Sequence, residues 1–155
     1  MPIIIDGHNL IPNIPGINLR DLDDEQKLID LLQEYARVSQ DTLEVYFDRA
    51  PLGQAKTKQK GRVKVIFVTE KTIADERIIK RIRTLGKEAS NWVVVTSDRR
   101  IQADAKESRA KSMSSEEFAQ KLAKTLDEER TRRSSDQTMS DSELESWMKL
   151  FNQNK

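Results

Sequence analysis

The sequence predicts an α/β fold with a central, mostly parallel sheet flanked by helices. Short β-branched or apolar runs, typical of strands, alternate with longer segments whose apolar residues recur at helical spacing. One run, Trp92–Thr96, is almost continuously apolar, as is typical of a parallel strand covered on both faces. The chain of 155 residues is long enough for a single domain with one core.

The first half of the chain contains three predicted strands and one helix. The first strand, Ile3–Ile5, ends at the turn-forming sequence DGHN. Leucines at helical spacing, preceded by acidic residues that favour a helix N-terminus, predict a helix over 24–38. Thr42–Phe47 and Val63–Val68 are rich in β-branched and aromatic residues and predict strands, with a polar loop between them.

The second half contributes further helices and a weak strand. Apolar residues at helical spacing predict a helix over 72–85. After the apolar strand, another helix begins at Asp98 or Arg99, and a weak strand follows at Ala110–Met113. The capping-box sequence over 114–117 then opens a helix.

Residues 1–130 are predicted to form one domain. A polar connector rich in Arg and Ser follows over 131–139. A second capping box begins an amphipathic helix within 140–155. We expect this helix to dock on the same domain; contact with a partner or a second copy is the alternative.

The composition excludes several classes of site. The chain has no cysteine, which excludes disulfides and cysteine-ligated metals, and its one histidine, His8, makes zinc sites and Ser-His catalysis improbable. His8 is predicted to have a structural role in its loop. Phosphate-loop and dinucleotide fingerprints are absent from the sequence. Without a long apolar segment or a signal-peptide pattern, we expect a cytoplasmic protein with no membrane partner.

The net charge of +1 conceals a strong asymmetry along the chain. Residues 1–48 contain ten acidic and three basic residues, whereas residues 49–111 contain seven acidic and seventeen basic residues. A basic middle segment of this kind indicates a polyanionic partner.

Four acidic residues lie just beyond the carboxyl ends of predicted strands: Asp6, Asp48, Asp75 and Asp98. In a parallel sheet these ends share one edge, where ligands bind, so we expect the four carboxylates to converge. The alternative is that each one only forms a turn or caps a helix. Carboxylates about 4 Å apart repel by about 4 kcal/mol at an effective dielectric near 20, so a convergent site requires a cation.

The available ligands favour Mg²⁺ or Mn²⁺, because the site would offer only oxygen atoms. Asn9, Thr96 and Ser97 would add amide and hydroxyl oxygens to the carboxylates. The chemistry that this set permits is metal-assisted hydrolysis of a phosphodiester.

Two groups of basic residues fit a phosphate-bearing substrate. Arg99 and Arg100 directly follow Asp98. A second group recurs at every second position and would share one face of an extended chain: Lys56, Lys58, Lys60, Arg62 and Lys64. The alternative for this second group is a charged hairpin that keeps a sheet edge soluble. A third group is predicted to form a solvated helix face: Arg77, Lys80, Arg81 and Arg83.

Four motifs in order, PIIIDGHNLIPNIPG, FDRA, TIADERI and VVVTSDRRIQ, resemble the bacterial YacP-like NYN-domain family over about residues 3–118. The resemblance implies a PIN-like, Rossmann-like three-layer fold and a metal-dependent nuclease. The group includes ribosome-associated endoribonucleases that cut messenger RNA in the A site. The acidic positions of PIN-like sites match Asp6, Asp48, Asp75 and Asp98, with Glu76 and Asp104 as alternates; Asn9 matches the DGxN asparagine and Ser97 the TSD hydroxyl.

The resulting hypothesis is an endoribonuclease with Mg²⁺ or Mn²⁺ on Asp6, Asp75 and Asp98, assisted by Asp48. RNA would be held by a set of polar and basic residues: Asn9, Ser97, Arg99, Arg100, Lys56, Lys58, Lys60 and Arg62. The main alternative is a non-catalytic adaptor that binds RNA or the ribosome through the same fold. A small-molecule phosphatase or nucleotide-binding domain is a third, weaker interpretation.

Overall fold

A computed structural model describes residues 1–16, 24–48, 56–68, 71–136 and 150. These residues form a six-stranded sheet in the order β3-β4-β2-β1-β5-β6. Every neighbouring pair is parallel except β3 and β4. The strands are β1 (Pro2–Asp6), β2 (Thr42–Phe47), β3 (Lys56–Lys60), β4 (Val63–Phe67), β5 (Val93–Val95) and β6 (Lys111–Met113).

Five α-helices and two 3-10 helices connect the strands within the described ranges. The α-helices are α1 (Gly7–Leu10), α2 (Asp24–Ser39), α3 (Lys71–Leu85), α4 (Arg99–Glu107) and α5 (Ser115–Asp136). The 3-10 helices are Ile11–Asn13 and Gly86–Asn91. None of the described helices is both long and apolar enough to cross a membrane.

The sheet has a separate apolar cluster on each face, which confirms the predicted three-layer α/β fold. On one face, Tyr35 of α2 packs edge-on against Phe118 of α5, with ring centroids 5.3 Å apart. On the other face, Ile78 and Ile82 of α3 pack with Ile101 of α4. Side chains of β1 and β5 alternate between the two clusters, so the central strands are buried on both faces.

Strand β3 differs from the predicted polar loop. Its sequence, KTKQK, lacks the apolar alternation that predicts a strand, because an edge strand can expose both of its faces. It pairs with β4 through a tight turn in which Gly61 has a φ of +60°.

This hairpin also corrects the expectation that the basic residues of the segment share one face. The register pairs Lys58 with Val65 and Gln59 with Lys64. Directly opposed residues of antiparallel strands share a face, so Lys64 lies on the face opposite to Lys58. The expectation is wrong for Lys64, because the turn breaks the alternation of an extended chain, whereas Lys58 and Lys60 occupy alternate positions of β3 and share one face.

The described residues include only part of the predicted polar connector and C-terminal helix. α5 continues to Asp136, so residues 131–136 of the expected polar connector are helical. The helix predicted within 140–155 lies outside the described residues, apart from Leu150.

Candidate active site

The four predicted acids lie at one edge of the sheet. β1 ends at Asp6, and Asp48 directly follows β2. Asp98 comes three residues after β5, and Asp75 lies in α3, which follows β4. Because β1, β2, β4 and β5 are parallel, their carboxyl ends face the same side of the molecule.

Asp6 is held in a fixed orientation beneath this edge. Its side chain is buried, and one oxygen, Oδ2, accepts hydrogen bonds from Asn9 Nδ2 at 2.9 Å and from Thr96 Oγ1 at 3.3 Å. No side-chain cap is made to the following turn. Asp6 is therefore bonded both to the turn that follows it, through the side chain of Asn9, and to the residue that follows β5, Thr96.

The carboxylates of Asp6 and Asp75 influence one another. The pKa of the Asp6 carboxyl is raised to about 6, mainly by burial and in addition by the negative charge of Asp75. Hydrogen bonds from Asn9 and Thr96 and the charge of His8 oppose this rise without cancelling it. Because burial and the charge of Asp75 both disfavour the charged form of Asp6, a cation bound at this edge would stabilise the Asp6 carboxylate.

Arg100 lies beside this acid pair. Its Nη2 atom is 4.0 Å from Oδ2 of Asp75, and its side chain is otherwise well exposed. Arg99, the preceding residue, is also exposed. Arg100 therefore flanks the acid pair, and both arginines are exposed to a phosphate in solvent.

Asp98 caps a helix, which is the alternative to membership of a convergent acidic site. Its Oδ1 atom accepts a 2.8 Å hydrogen bond from the backbone N–H of Arg100 and so begins α4. Within the described ranges, no three Asp, Glu or His side chains are grouped so that they could share a metal ion. Asp98 is thus not brought together with Asp6 and Asp75 in one ligand set.

Asp48 is paired with a residue that had been given only a structural role. Its Oδ1 atom lies 2.7 Å from Nε2 of His8, and Glu25 Oε1 lies 3.5 Å from the same nitrogen. The contact lacks hydrogen-bond alignment, so it is an ion pair when the imidazole is protonated. The His8–Asp48–Glu25 group was missed, although His8 stands between Asp6 and Asn9 in a turn at the site edge.

Asn9 and Ser97 join the two loops that carry the site. Oδ1 of Asn9 accepts a 3.1 Å hydrogen bond from the backbone N–H of Ser97. Oγ of Ser97 in turn accepts a 3.2 Å bond from the backbone N–H of Ser115, at the start of α5. These atoms, predicted to bind substrate, have partners within the protein that hold α1, the loop after β5 and α5 together.

Gly7 explains why the turn after Asp6 can pack so closely. A Cβ atom at this position would lie 2.4 Å from Cε1 of Phe47 and 2.8 Å from the carbonyl oxygen of Tyr46. Only glycine permits this approach of α1 to β2. The packing sets the positions of Asp6, His8 and Asn9 together.

The remaining predicted basic residues are spread across the sheet. Lys56 pairs with Phe67 and is at the site edge, whereas Lys60 pairs with Val63 at the opposite edge. Arg62 donates hydrogen bonds to the carbonyl oxygen and to Oε1 of Gln40, at 3.1 and 2.8 Å, also at the far edge.

The two alternate acids stand apart from the buried pair. Glu76 is exposed on α3, and Asp104 of α4 forms a salt bridge with Arg83 at 3.1 Å. The exposed Glu76 and the paired Asp104 therefore offer no substitute for Asp6 and Asp75.

Comparison with known proteins identifies the family and the fold. A family model for the YacP-like NYN domain matches residues 3–152. An uncharacterized protein from Bacillus subtilis (strain 168), YacP, is 32% identical over 101 residues, a match that covers 62% of this chain and 59% of that protein. The crystal structure of Rae1 (YacP) from Bacillus subtilis is similar with a TM-score of 0.70 and 27% identity, covering 96% of this chain and 93% of that one. A tryptophan-to-leucine mutant of Rae1 gives a TM-score of 0.68 and 26% identity, covering 97% and 91%.

Proposed function

Because the chain belongs to the YacP-like NYN domain family of PIN-like nuclease domains, we propose that it is a metal-dependent endoribonuclease. The observation that carries the proposal is the buried pair of Asp6 and Asp75 at the carboxyl edge of the sheet. Messenger RNA on the ribosome is the proposed setting for cleavage, and this part rests on the family resemblance.

Asp6 and Asp75 fit a hard divalent cation, Mg²⁺ or Mn²⁺. Mg²⁺ is commonly bound through one or two carboxylates, several waters and the phosphates of the substrate. Burial and the charge of Asp75 raise the pKa of Asp6, so a bound cation would favour its charged form. When bound, such a cation would activate water and neutralise charge on the phosphodiester.

The protein itself would orient the substrate. Asn9 and Thr96 hold Asp6 in place, and Arg100 beside Asp75 would contact a nonbridging phosphate oxygen. Asp98 would act by capping α4, which carries Arg99 and Arg100. In-line attack of water on phosphorus would leave a 5′-phosphate and a 3′-hydroxyl.

We expect Asp75→Asn to reduce RNA cleavage at least tenfold, because each stabilising interaction worth about 1.4 kcal/mol in the transition state contributes about a factor of ten. The measurement is the rate of cleavage of a labelled single-stranded RNA in Mg²⁺ or Mn²⁺, with identification of the product ends. Asp104→Asn is the matched control, because it removes an acid that is paired with Arg83 outside the site. Equal rates for wild type and Asp75→Asn would contradict the proposal.

The second candidate function is a non-catalytic RNA- or ribosome-binding adaptor. It is favoured by one observation, the use of Asp98 as a helix cap rather than as a member of a metal cluster. In an adaptor, the carboxylates would serve the fold and the basic surfaces would carry the function.

Binding of Mn²⁺ separates the two candidates. A cation that binds only the native state at about 100 times its Kd stabilises the protein by about 2.7 kcal/mol. For the nuclease we therefore expect Mn²⁺ to raise the melting temperature of wild type but not that of the double variant Asp6→Asn/Asp75→Asn. An identical shift in both proteins would show that the ion binds elsewhere and would favour the adaptor.

A further inference from the structure

A concave surface lies beside α3. It has a volume of about 350 Å³ and lies between α3 and strands β2, β3 and β4. Four basic residues line it, Lys64 from β4 and Arg77, Lys80 and Arg81 from α3. The hydroxyl-bearing Thr57 and Thr84 also line it. We call this surface the α3 groove.

The only acid among the described residues of the α3 groove is already neutralised. Glu44 is buried, and both of its oxygens accept hydrogen bonds from Arg81, with Nε–Oε1 and Nη2–Oε2 distances of 2.9 Å. Arg81 also lies over the ring of Trp92, 5.1 Å from its centroid. The Glu44–Arg81 pair therefore contributes no net charge to the groove.

The three other cations have no such compensation. Lys64, Arg77 and Lys80 form no hydrogen bond or salt bridge with any residue in the described part of the chain, and all three are exposed. Their side chains converge from two elements, a strand and a helix, on one concavity. Convergence of three positive charges around an acid that is already paired with Arg81 is the charge pattern of a site for a polyanion.

The neighbouring groove between α3 and α4 shows the contrast. It is also lined by Lys80, Arg83 and Arg100, but Glu76 and Asp104 lie among them. Asp104 pairs with Arg83 there. The α3 groove therefore carries an excess of uncompensated positive charge that the groove between α3 and α4 does not.

We propose that the α3 groove binds phosphates of the RNA strand beyond the bond that is cut. The proposal deepens the proposed function, on which it rests, by naming where the rest of the substrate lies. α3 carries Asp75 near its start and runs back along the sheet, so at 1.5 Å per residue Arg77 and Lys80 lie about 3 and 8 Å further along its axis. A strand whose phosphate lies at the acid pair can thus continue along α3 into the groove.

Phosphate is the chemistry that these side chains select. Lysine and arginine contact phosphate oxygens without reading base identity, and threonine hydroxyls can donate to them as well. Among the described residues that line the groove, no aromatic ring is exposed for base stacking, since Tyr46 is buried. We therefore expect the contact to be independent of RNA sequence and strongly dependent on salt.

The test is the salt dependence of RNA binding with EDTA present, so that no cleavage is needed. Each lysine that contacts a phosphate of a single strand contributes about 0.7 to the slope of log K against log salt. We expect the double variant Lys64→Gln/Lys80→Gln to lower this slope by about 1.4 for RNAs of different sequence. Lys124→Gln on α5, an exposed lysine on the opposite face of the sheet, is the control and should leave the slope unchanged.

The outcomes are decisive in both directions. Lys64→Arg/Lys80→Arg, which keeps both charges, should retain the wild-type slope. An unchanged slope for the double Gln variant, or an equal loss for Lys124→Gln, would overturn the proposal. Because binding is measured without metal, a wild-type protein that binds RNA through the groove but never cuts it would refute the nuclease and leave the groove assignment standing.

Discussion

Asp6→Asn should abolish RNA cleavage and at the same time stabilise the folded protein at neutral pH. The cleavage rate should fall about 100-fold or more, because a buried carboxylate of the catalytic pair is lost and a loss of about 2.7 kcal/mol corresponds to that factor. The gain in stability has a separate cause: asparagine is uncharged, so the variant removes the free-energy cost of burying a charged carboxylate near Asp75.

The direction of the pH dependence follows from the pKa. Folding raises the pKa of Asp6 from 3.8 to about 6, so between these values the native state binds the proton more tightly than the unfolded chain does. The loss of folding stability caused by ionising the buried Asp6 is therefore absent below pH 3.8. It grows as the pH rises from 3.8 to about 6 and is complete above pH 6. A shift of about two units corresponds to about 3 kcal/mol as an upper figure.

Urea unfolding at several pH values, with EDTA present, measures this effect. Above pH 6 we expect Asp6→Asn to be more stable than wild type by about 1–3 kcal/mol, and near pH 4 the two should be equal. Asparagine can keep the local bonds, since Asn9 and Thr96 both donate to one oxygen of Asp6. Asp104→Asn should show no such gain, and a wild-type protein as stable as Asp6→Asn above pH 6 would contradict the burial argument.

Gly7→Ala should destabilise the protein by about 3 kcal/mol, which lowers the melting temperature by about 6–12 °C for a chain of this size. The added methyl group would lie 2.4 Å from the buried ring of Phe47, and that ring stacks on Phe67 at 5.5 Å and cannot move freely. The carbonyl oxygen of Tyr46, at 2.8 Å, belongs to the backbone of the sheet. Thermal unfolding measures the loss.

A matched glycine shows whether the clash is the cause. Gly86 has a φ of +57° and no atom within 4 Å of an added Cβ, so Gly86→Ala carries only a backbone cost of about 1–2 kcal/mol. Combining Gly7→Ala with Phe47→Leu should cost less than the sum of the two single losses, because the leucine side chain vacates part of the contact. If the stability losses of the two single variants are additive in the double variant, the effect of Gly7→Ala does not come from its contact with Phe47.

The strands and helices that pack on the core could be predicted from the sequence. The continuous apolar run of β5 and the helical spacing of apolar residues in α3 predict these two elements, because burial requires apolar residues at those positions. β3 could not be predicted, because its stability comes from pairing with β4 and its side chains need not be apolar. Lys64 shows the same limit, since the turn at Gly61 decides which face it occupies.

For the candidate site, the sequence predicts where the acids lie but not which partners they have. That acids meet at one edge follows from parallel topology, which alternating strands and helices predict. The partners of each acid do not follow from this alternation. Asp48 lies against His8, and Asp98 is bonded to the N–H of Arg100, because local distances and backbone geometry favour those contacts. The sequence predicts only a solvated basic side of α3, and its convergence with Lys64 depends on how α3 packs back against β4, the strand that precedes it.

The sequence by itself determined the α/β class, the edge of the sheet that carries the acids, and a chemistry limited to oxygen ligands, since the chain lacks cysteine and has a single histidine. The tertiary structure alone decided that Asp6 and Asp75 form the buried pair, while Asp48 and Asp98 are engaged elsewhere. The physical reason is that periodicity records which side of an element is apolar. Electrostatic coupling instead depends on the distance between side chains and on their burial, which the packed chain establishes.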